Sequence, residues 1–156
     1  MSLESNNFDF FVGTWTSTQR RRKKILADCD EWYELTATAR CWNVFDGAGN
    51  IDEVTFDGDS APGMTVRLYD AASDQWSLYW TRSGTGVLPL PATVGRFEQD
   101  GCGRFYDDED WEGRPIRVRF LWSRITADSC RWEQAFSTDG GVTWETNWIS
   151  DFTRVS

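Results

Sequence analysis

The sequence predicts an all-β protein: a single antiparallel, up-and-down β-barrel of about ten strands, preceded by a short N-terminal turn. Three observations predict it. Apolar and polar residues alternate with period two along most of the 156 residues, and helical periodicity is nearly absent. Turn-forming clusters (DGAGN, DAASD, QDGCG, TADS and DGG) break the alternation at short intervals. The length suits one domain, residues 1–156, large enough to bury a core without a staple.

The elements follow in order. The run FDFFVGTW forms a short apolar turn that ends in Gly13-Thr14-Trp15 and opens a strand at 14–23. Strands are expected next at 31–42, 52–56, 64–70 and 75–82. In GMTVRLYD, Met64, Val66 and Leu68 oppose Thr65, Arg67 and Tyr69, and the apolar set is read as the inner one. In QWSLYWTR, Trp76, Leu78 and Trp80 share a side with Arg82. The stretch SGTGVLPLPA, 83–92, has two prolines and two glycines and reads as a long loop, a candidate portal. Strands at 94–99 and 103–108 flank QDGCG. At 115–124, Ile116, Val118, Phe120 and Trp122 form one face, and at 130–137 Trp132, Gln134 and Phe136 do. The last strand, 143–154, aligns Trp144, Thr146, Trp148, Ser150, Phe152 and Arg154.

Composition narrows the function. Lys and Arg number 16 against 25 Asp and Glu, so the net charge of −9 repels nucleic acid and anionic membrane alike. The run RRRKK, 20–24, reads as a solvated strand end rather than a phosphate patch. There is no histidine, which removes Ser-His-Asp and Cys-His relays and any imidazole base. The four cysteines form no C-x-x-C pair, so no zinc spacing exists and no metal site is expected. The N-terminus lacks the charged and apolar regions of a signal peptide, and no apolar window of about 18 residues occurs. A cytoplasmic protein with reduced thiols is expected.

Several runs invite chemistry and receive a structural reading. STDGGVTW, 137–144, fits the Asp-box pattern S-x-D-x-G-x-T-W of sialidase propellers, but one copy makes no propeller, so a stable hairpin is expected. YDDEDWEG, 106–113, matches no calcium loop and reads as a solvated acidic turn. In GNIDE, Asn50 and Asp52 fall on the side of Val54 and Phe56. An inward Asp52 needs a partner, with Arg82 or Arg96 the candidates.

The Gly-x-Trp opening, with the strand count and length, resembles the calycin superfamily of lipocalins and fatty-acid-binding proteins. The runs FVGTW, GMTVRLYD, WSLYW and RWEQAFSTDGGVTWETNW resemble the cytoplasmic lipocalin-like proteins of bacteria, which have no assigned activity. The resemblance implies that Trp15 seals the closed base of the barrel. Gly13 would admit the turn before it, and Arg154 would stack on the indole. It implies no cofactor: the haem-binding relatives use a histidine that this chain lacks.

Three functions remain open on this scaffold. The first is binding of a small, largely apolar or aromatic ligand, with Trp80, Trp122, Trp132 and Trp148 as walls. Arg82, Gln134, Thr146, Asn50 and Asp52 would be its polar contacts. The second is an enzyme of isomerase or cyclase type that uses Asp52 or Glu34 as acid or base. The third is a barrel filled by its own aromatic side chains that acts as an interaction protein. Ile149 and Leu121 on the outer face hint at a homodimer.

Overall fold

The computed structural model describes residues 7–58 and 61–156. A 3-10 turn, Asp9–Phe11, leads into ten strands. These are β1 (Gly13–Arg22), β2 (Trp32–Val44), β3 (Gly49–Phe56), β4 (Gly63–Asp70) and β5 (Gln75–Arg82), then β6 (Thr93–Phe97), β7 (Gly103–Trp111), β8 (Arg114–Ser123), β9 (Ser129–Ser137) and β10 (Glu145–Arg154). Each strand pairs antiparallel with its neighbour in sequence, and β1 pairs with β10 to close the barrel. This is the up-and-down barrel expected from the alternation.

Closure leaves no free edge over most of the wall. The exception is at β6. It pairs with β5 only from Trp76 to Leu78 and with β7 only as far as Tyr106. The last residues of β5 and β7 therefore border a slot, and the 83–92 loop leaves β5 beside it. The acidic run expected as a turn forms the end of β7 instead, because Asp107 to Asp110 pair with β8 on their other side. Carboxylates along such an edge discourage pairing with another chain. The β2 and β3 strands extend past their expected ends because Phe45 and Asp46 both take left-handed φ, of 54° and 53°, and tighten the DGAGN connection.

In an up-and-down barrel alternate strand ends share one rim. The starts of β1, β5, β7 and β9 form the base, where Phe8, Phe11, Trp15, Trp76, Phe105, Trp122 and Phe152 pack as the core. Trp15 is fully buried, and its Nε1 donates to the Phe11 carbonyl at 2.8 Å. The Arg154 guanidinium lies 4.3 Å from the Trp15 ring centroid. Gly13 sits at φ 131°, and a Cβ there would fall 2.5 Å from Arg154 Nη1 and from the Ser156 carbonyl oxygen. The turn can approach the seal only without a side chain.

Two expected faces are corrected. On β4 the polar set points inward: Arg67 is 3% exposed, whereas Leu68 is 38% exposed. The buried carboxylate of Asp52 on β3 requires a cation, and Arg67 supplies it from the adjacent strand. Gly63 completes this inner face, since a Cβ there would collide with the Trp80 indole. On β10 the register shifts between Thr146 and Trp148, so the alternation from Trp148 does not extend back to Thr146.

The four cysteines are free thiols. Burial pushes Cys41 and Cys130 up to about 12. Among the described residues no helix is long and apolar enough to cross a membrane. No cluster of metal-ligating side chains occurs among them either.

Candidate functional site

Above the base the barrel encloses a cavity of about 80 Å³. Its walls are largely aromatic: Trp80, Trp132 and Trp148, with Phe56, Phe120 and Trp122. Trp132 and Trp148 meet edge to face at 5.0 Å, and Trp80 meets Trp148 in the same way at 6.2 Å. The rings come from β3, β5, β8, β9 and β10, where inward alternation turns these large residues toward the cavity.

Polar groups punctuate the walls in two places. From β1, Gln19 Oε1 accepts from Trp148 Nε1 at 2.6 Å and from Ser150 Oγ at 2.5 Å, while its Nε2 donates to Ser17 Oγ at 2.7 Å. These bonds fix the Trp148 indole in place. Opposite, Arg67 Nη2 donates to Asp52 Oδ2 at 2.5 Å and Arg67 Nη1 donates to Asn50 Oδ1 at 3.0 Å. The Arg67 guanidinium also lies 5.1 Å from the Phe8 ring and 5.5 Å from those of Phe11 and Trp122.

This buried network is incompletely satisfied. Among the described residues, Asp52 Oδ1, Arg67 Nε and Trp122 Nε1 have no hydrogen-bond partner. All three residues line the cavity. A buried polar atom left unpaired costs about 1–3 kcal/mol, so such atoms gather where water or a ligand supplies the missing bond.

The open rim lies above the rings. Arg21, on the inner side of β1, places its guanidinium 4.2 Å from the Trp148 ring and 4.8 Å from Phe56. Arg82, at the end of β5, lies 5.5 Å from Phe56, 5.6 Å from Trp80 and 6.0 Å from Trp148. Its Nη1 donates to the Ala61 carbonyl at 3.0 Å. Burial and the neighbouring Arg21 charge both lower the Arg82 pKa. The β1–β2 loop folds over the other half of the rim. Ile25 and Leu26 pack on Ile116, Val118 and Phe136, and the Leu26 amide donates to Glu145 Oε2 at 2.7 Å.

Of the residues singled out in the sequence, Trp80, Trp122, Trp132, Gln134, Trp148 and Asp52 line the cavity. Gln134 Nε2 donates to Asn147 Oδ1 at 2.9 Å. Arg82 stands at the rim and Asn50 behind Arg67. Thr146 is off the wall, with its carbonyl held by Arg22 Nε at 3.0 Å. Glu34 is exposed opposite Arg20 on the outer face of the barrel, away from the cavity. The partner of Asp52 is Arg67, neither Arg82 nor Arg96. Leu121 and Ile149 are both half-buried beside Glu133 on the outer face.

Gln19, Arg21 and Arg67 were missed. The RRRKK run is split by alternation: Arg21 turns inward, Arg22 lies over Trp32 at 4.5 Å, and Lys23 and Lys24 stay exposed. Counting in twos from Trp15 through Ser17 and Gln19 reaches Arg21, so the signal was present in the sequence.

No protein-family model matches the sequence, and no curated protein does. Among solved structures, the S-type phycobiliprotein lyase CPES from Guillardia theta is similar, with a TM-score of 0.60 at 15% identity. The match covers 100% of this chain and 99% of that one. At that identity the likeness concerns the fold alone.

Proposed function

We propose that the barrel binds a small, largely apolar ligand between its tryptophan walls. The observation that carries this reading is the set of orphaned polar atoms around the cavity. Asp52 Oδ1 accepts, and Arg67 Nε and Trp122 Nε1 donate, toward a space otherwise lined by rings. A ligand with one donor and one acceptor on an aromatic body answers both the shape and the chemistry.

The volume favours a second reading. About 80 Å³ falls short of the ~300 Å³ of ordinary small-molecule sites. A barrel packed by its own aromatics, acting as an interaction protein, fits that number. The orphaned atoms weigh against it, since a dry core would not leave a charged pair incompletely bonded. The ligand is therefore of single-ring size, or the indoles part to admit something larger. The phycobiliprotein lyase neighbour makes a linear tetrapyrrole the larger class to try. The enzyme reading lacks support: Glu34 is outside, and Asp52 is committed to Arg67.

Titration of tryptophan fluorescence tests the proposal, with a panel of aromatic acids, fatty acids, isoprenoids and a bilin. Saturable quenching is expected for at least one class, and Thr65→Phe, which fills the cavity, is expected to abolish it without unfolding the barrel. No saturable quenching by any member up to its solubility would leave the filled barrel as the better account.

A further inference from the structure

Two arginines face the same aromatic rings at the rim. Both guanidiniums lie over Phe56 and over Trp148, and Arg82 also lies over Trp80. Like charges this close repel, and an interior wall of indoles replaces water poorly around them. In a chain of net charge −9, two cations gathered at one opening are not a sample of the average surface. Tyr33 pairs with Arg21 across β1 and β2 at the same level, placing a phenol beside them. Among the described residues Arg82 enters no ion pair, and the Ala61 carbonyl takes one of its five N–H donors.

We infer that Arg21 and Arg82 form an anion subsite at the mouth, so that the ligand is a planar aromatic carboxylic acid whose carboxylate rests between the guanidiniums while its ring enters the cavity. This inference deepens the binding reading and rests on it. A carboxylate accepts from a guanidinium in a two-pronged fit and relieves the repulsion between the two cations. The rings beneath, already stacked with guanidiniums, suit a flat conjugated body continuous with that anion. The chain's negative field selects among anions. A monoanion is opposed less than a phosphate dianion, so a carboxylate is the favoured head group. At the far end of the cavity Asp52 Oδ1 remains as an acceptor, so a hydrogen-bond donor opposite the carboxylate completes the fit.

The test uses a matched pair, 4-fluorocinnamate and 4-fluorocinnamamide, titrated into the whole protein and followed by 19F NMR. The acid is expected to bind about 10- to 100-fold tighter than the amide, the range for a charge-assisted bond. Arg82→Gln and Arg21→Gln are each expected to remove most of that preference, weakening the acid much more than the amide. Arg82→Lys keeps the charge without the fork and is expected to fall between. It also serves if the Gln variant does not fold, as judged by circular dichroism. Equal affinity for acid and amide overturns the anion subsite and leaves the cavity reading intact. Binding by neither, with other panel ligands still quenching, overturns the aromatic-acid assignment. Binding by neither and no quenching at all removes both.

Discussion

The base and the mouth of this barrel use the same pair of groups, a guanidinium over an indole, to opposite ends. At the base Arg154 covers Trp15, and three of its five N–H donors are held by backbone carbonyls: Nη2 bonds the Phe10 carbonyl at 2.6 Å, Nη1 the Val12 carbonyl at 2.7 Å and Nε the Ala127 carbonyl at 2.8 Å. At the mouth Arg82 covers Trp80 and, among the described residues, gives one bond, to Ala61. Backbone carbonyls at fixed distances convert the first guanidinium into a clasp that ties the N-terminal turn to the C-terminal strand. The second keeps unused donors above a cavity. The contact with the ring is the same kind at both ends, and what satisfies the rest of the cation separates a structural pair from a binding one.

The largest effect that sharpens this comparison is at the base. Trp15→Ala is expected to destabilise the fold by about 3–5 kcal/mol, as core aromatic truncations do. Arg154→Ala removes charge-assisted bonds from a half-buried site, with an expected cost of about 1.5–3 kcal/mol. Because the two side chains touch, the double variant is expected to lose less than the sum of the two, by about 0.5–3 kcal/mol. Urea denaturation of the four proteins measures the cycle. Strict additivity would show that Arg154 acts on the turn alone and not through the indole.

The mouth is expected to respond differently. Arg82→Gln and Arg21→Gln each remove a cation that spans rings near solvent, a contact of about 0.5–1 kcal/mol. Stability losses no larger than that are expected in the same urea experiment. A loss comparable to that of Arg154→Ala would mean that the rim arginines are clasps too, and the contrast between the two ends would collapse.

The two ends also differed in how far the sequence could be read. The base was legible because it is local. Gly13, Trp15 and the apolar turn lie within a few residues, and Arg154 sits in the strand that closes on β1. All ten strands were legible because the outer face of an antiparallel wall is wet, which stamps period two on the sequence. The cavity floor was less so. On β4 the apolar set Met64, Val66 and Leu68 lies on the outer face, and the inner face carries Arg67. What decides that inversion is the charge of Asp52 on the neighbouring strand, a pairing visible only once the register is known. Thr146 was misplaced by the register shift beside it, since one inserted residue reverses every face assignment beyond it. Arg21 was hidden by its neighbours, because five basic residues in a row read as one solvated patch when alternate members face opposite sides.

The smallest expected effect lies at the rim, on the end of β7. Asp107 and Glu109 occupy alternate positions there, both on the side of Phe105, where Val118 and Ile116 are their cross-strand neighbours. Burial raises both carboxyls above their ordinary range, and the hydrogen bond and charge of Asp107 raise Glu109 further, to about 7. A carboxyl with a raised pKa is protonated in the folded state where the unfolded chain has already released its proton. Its contribution to stability is therefore present below the ordinary Glu value of 4.5 and is lost as the pH rises through about 7. Asp139 has the opposite sign. Its Oδ2 accepts from the Thr143 hydroxyl at 2.6 Å and its Oδ1 from the amides of Thr143 and Val142, and these bonds hold its carboxyl well below the usual range, so its contribution is lost as the pH falls. A stability profile of the unaltered protein mixes the two, and the difference between it and Glu109→Gln isolates the rim. Glu109 as a residue keeps solvent access while its carboxyl lies against Asp107, so screening trims the effect. The expected sign remains: the stability of the unaltered protein relative to Glu109→Gln is constant below pH 4.5, falls between pH 4.5 and 7, and stays at the lowered value above 7. Melting temperatures of both proteins across that window decide it. Parallel curves would show that Asp107 and Glu109 do not share a proton. The rim would then carry two more negative charges, which would weaken the case for an anion there.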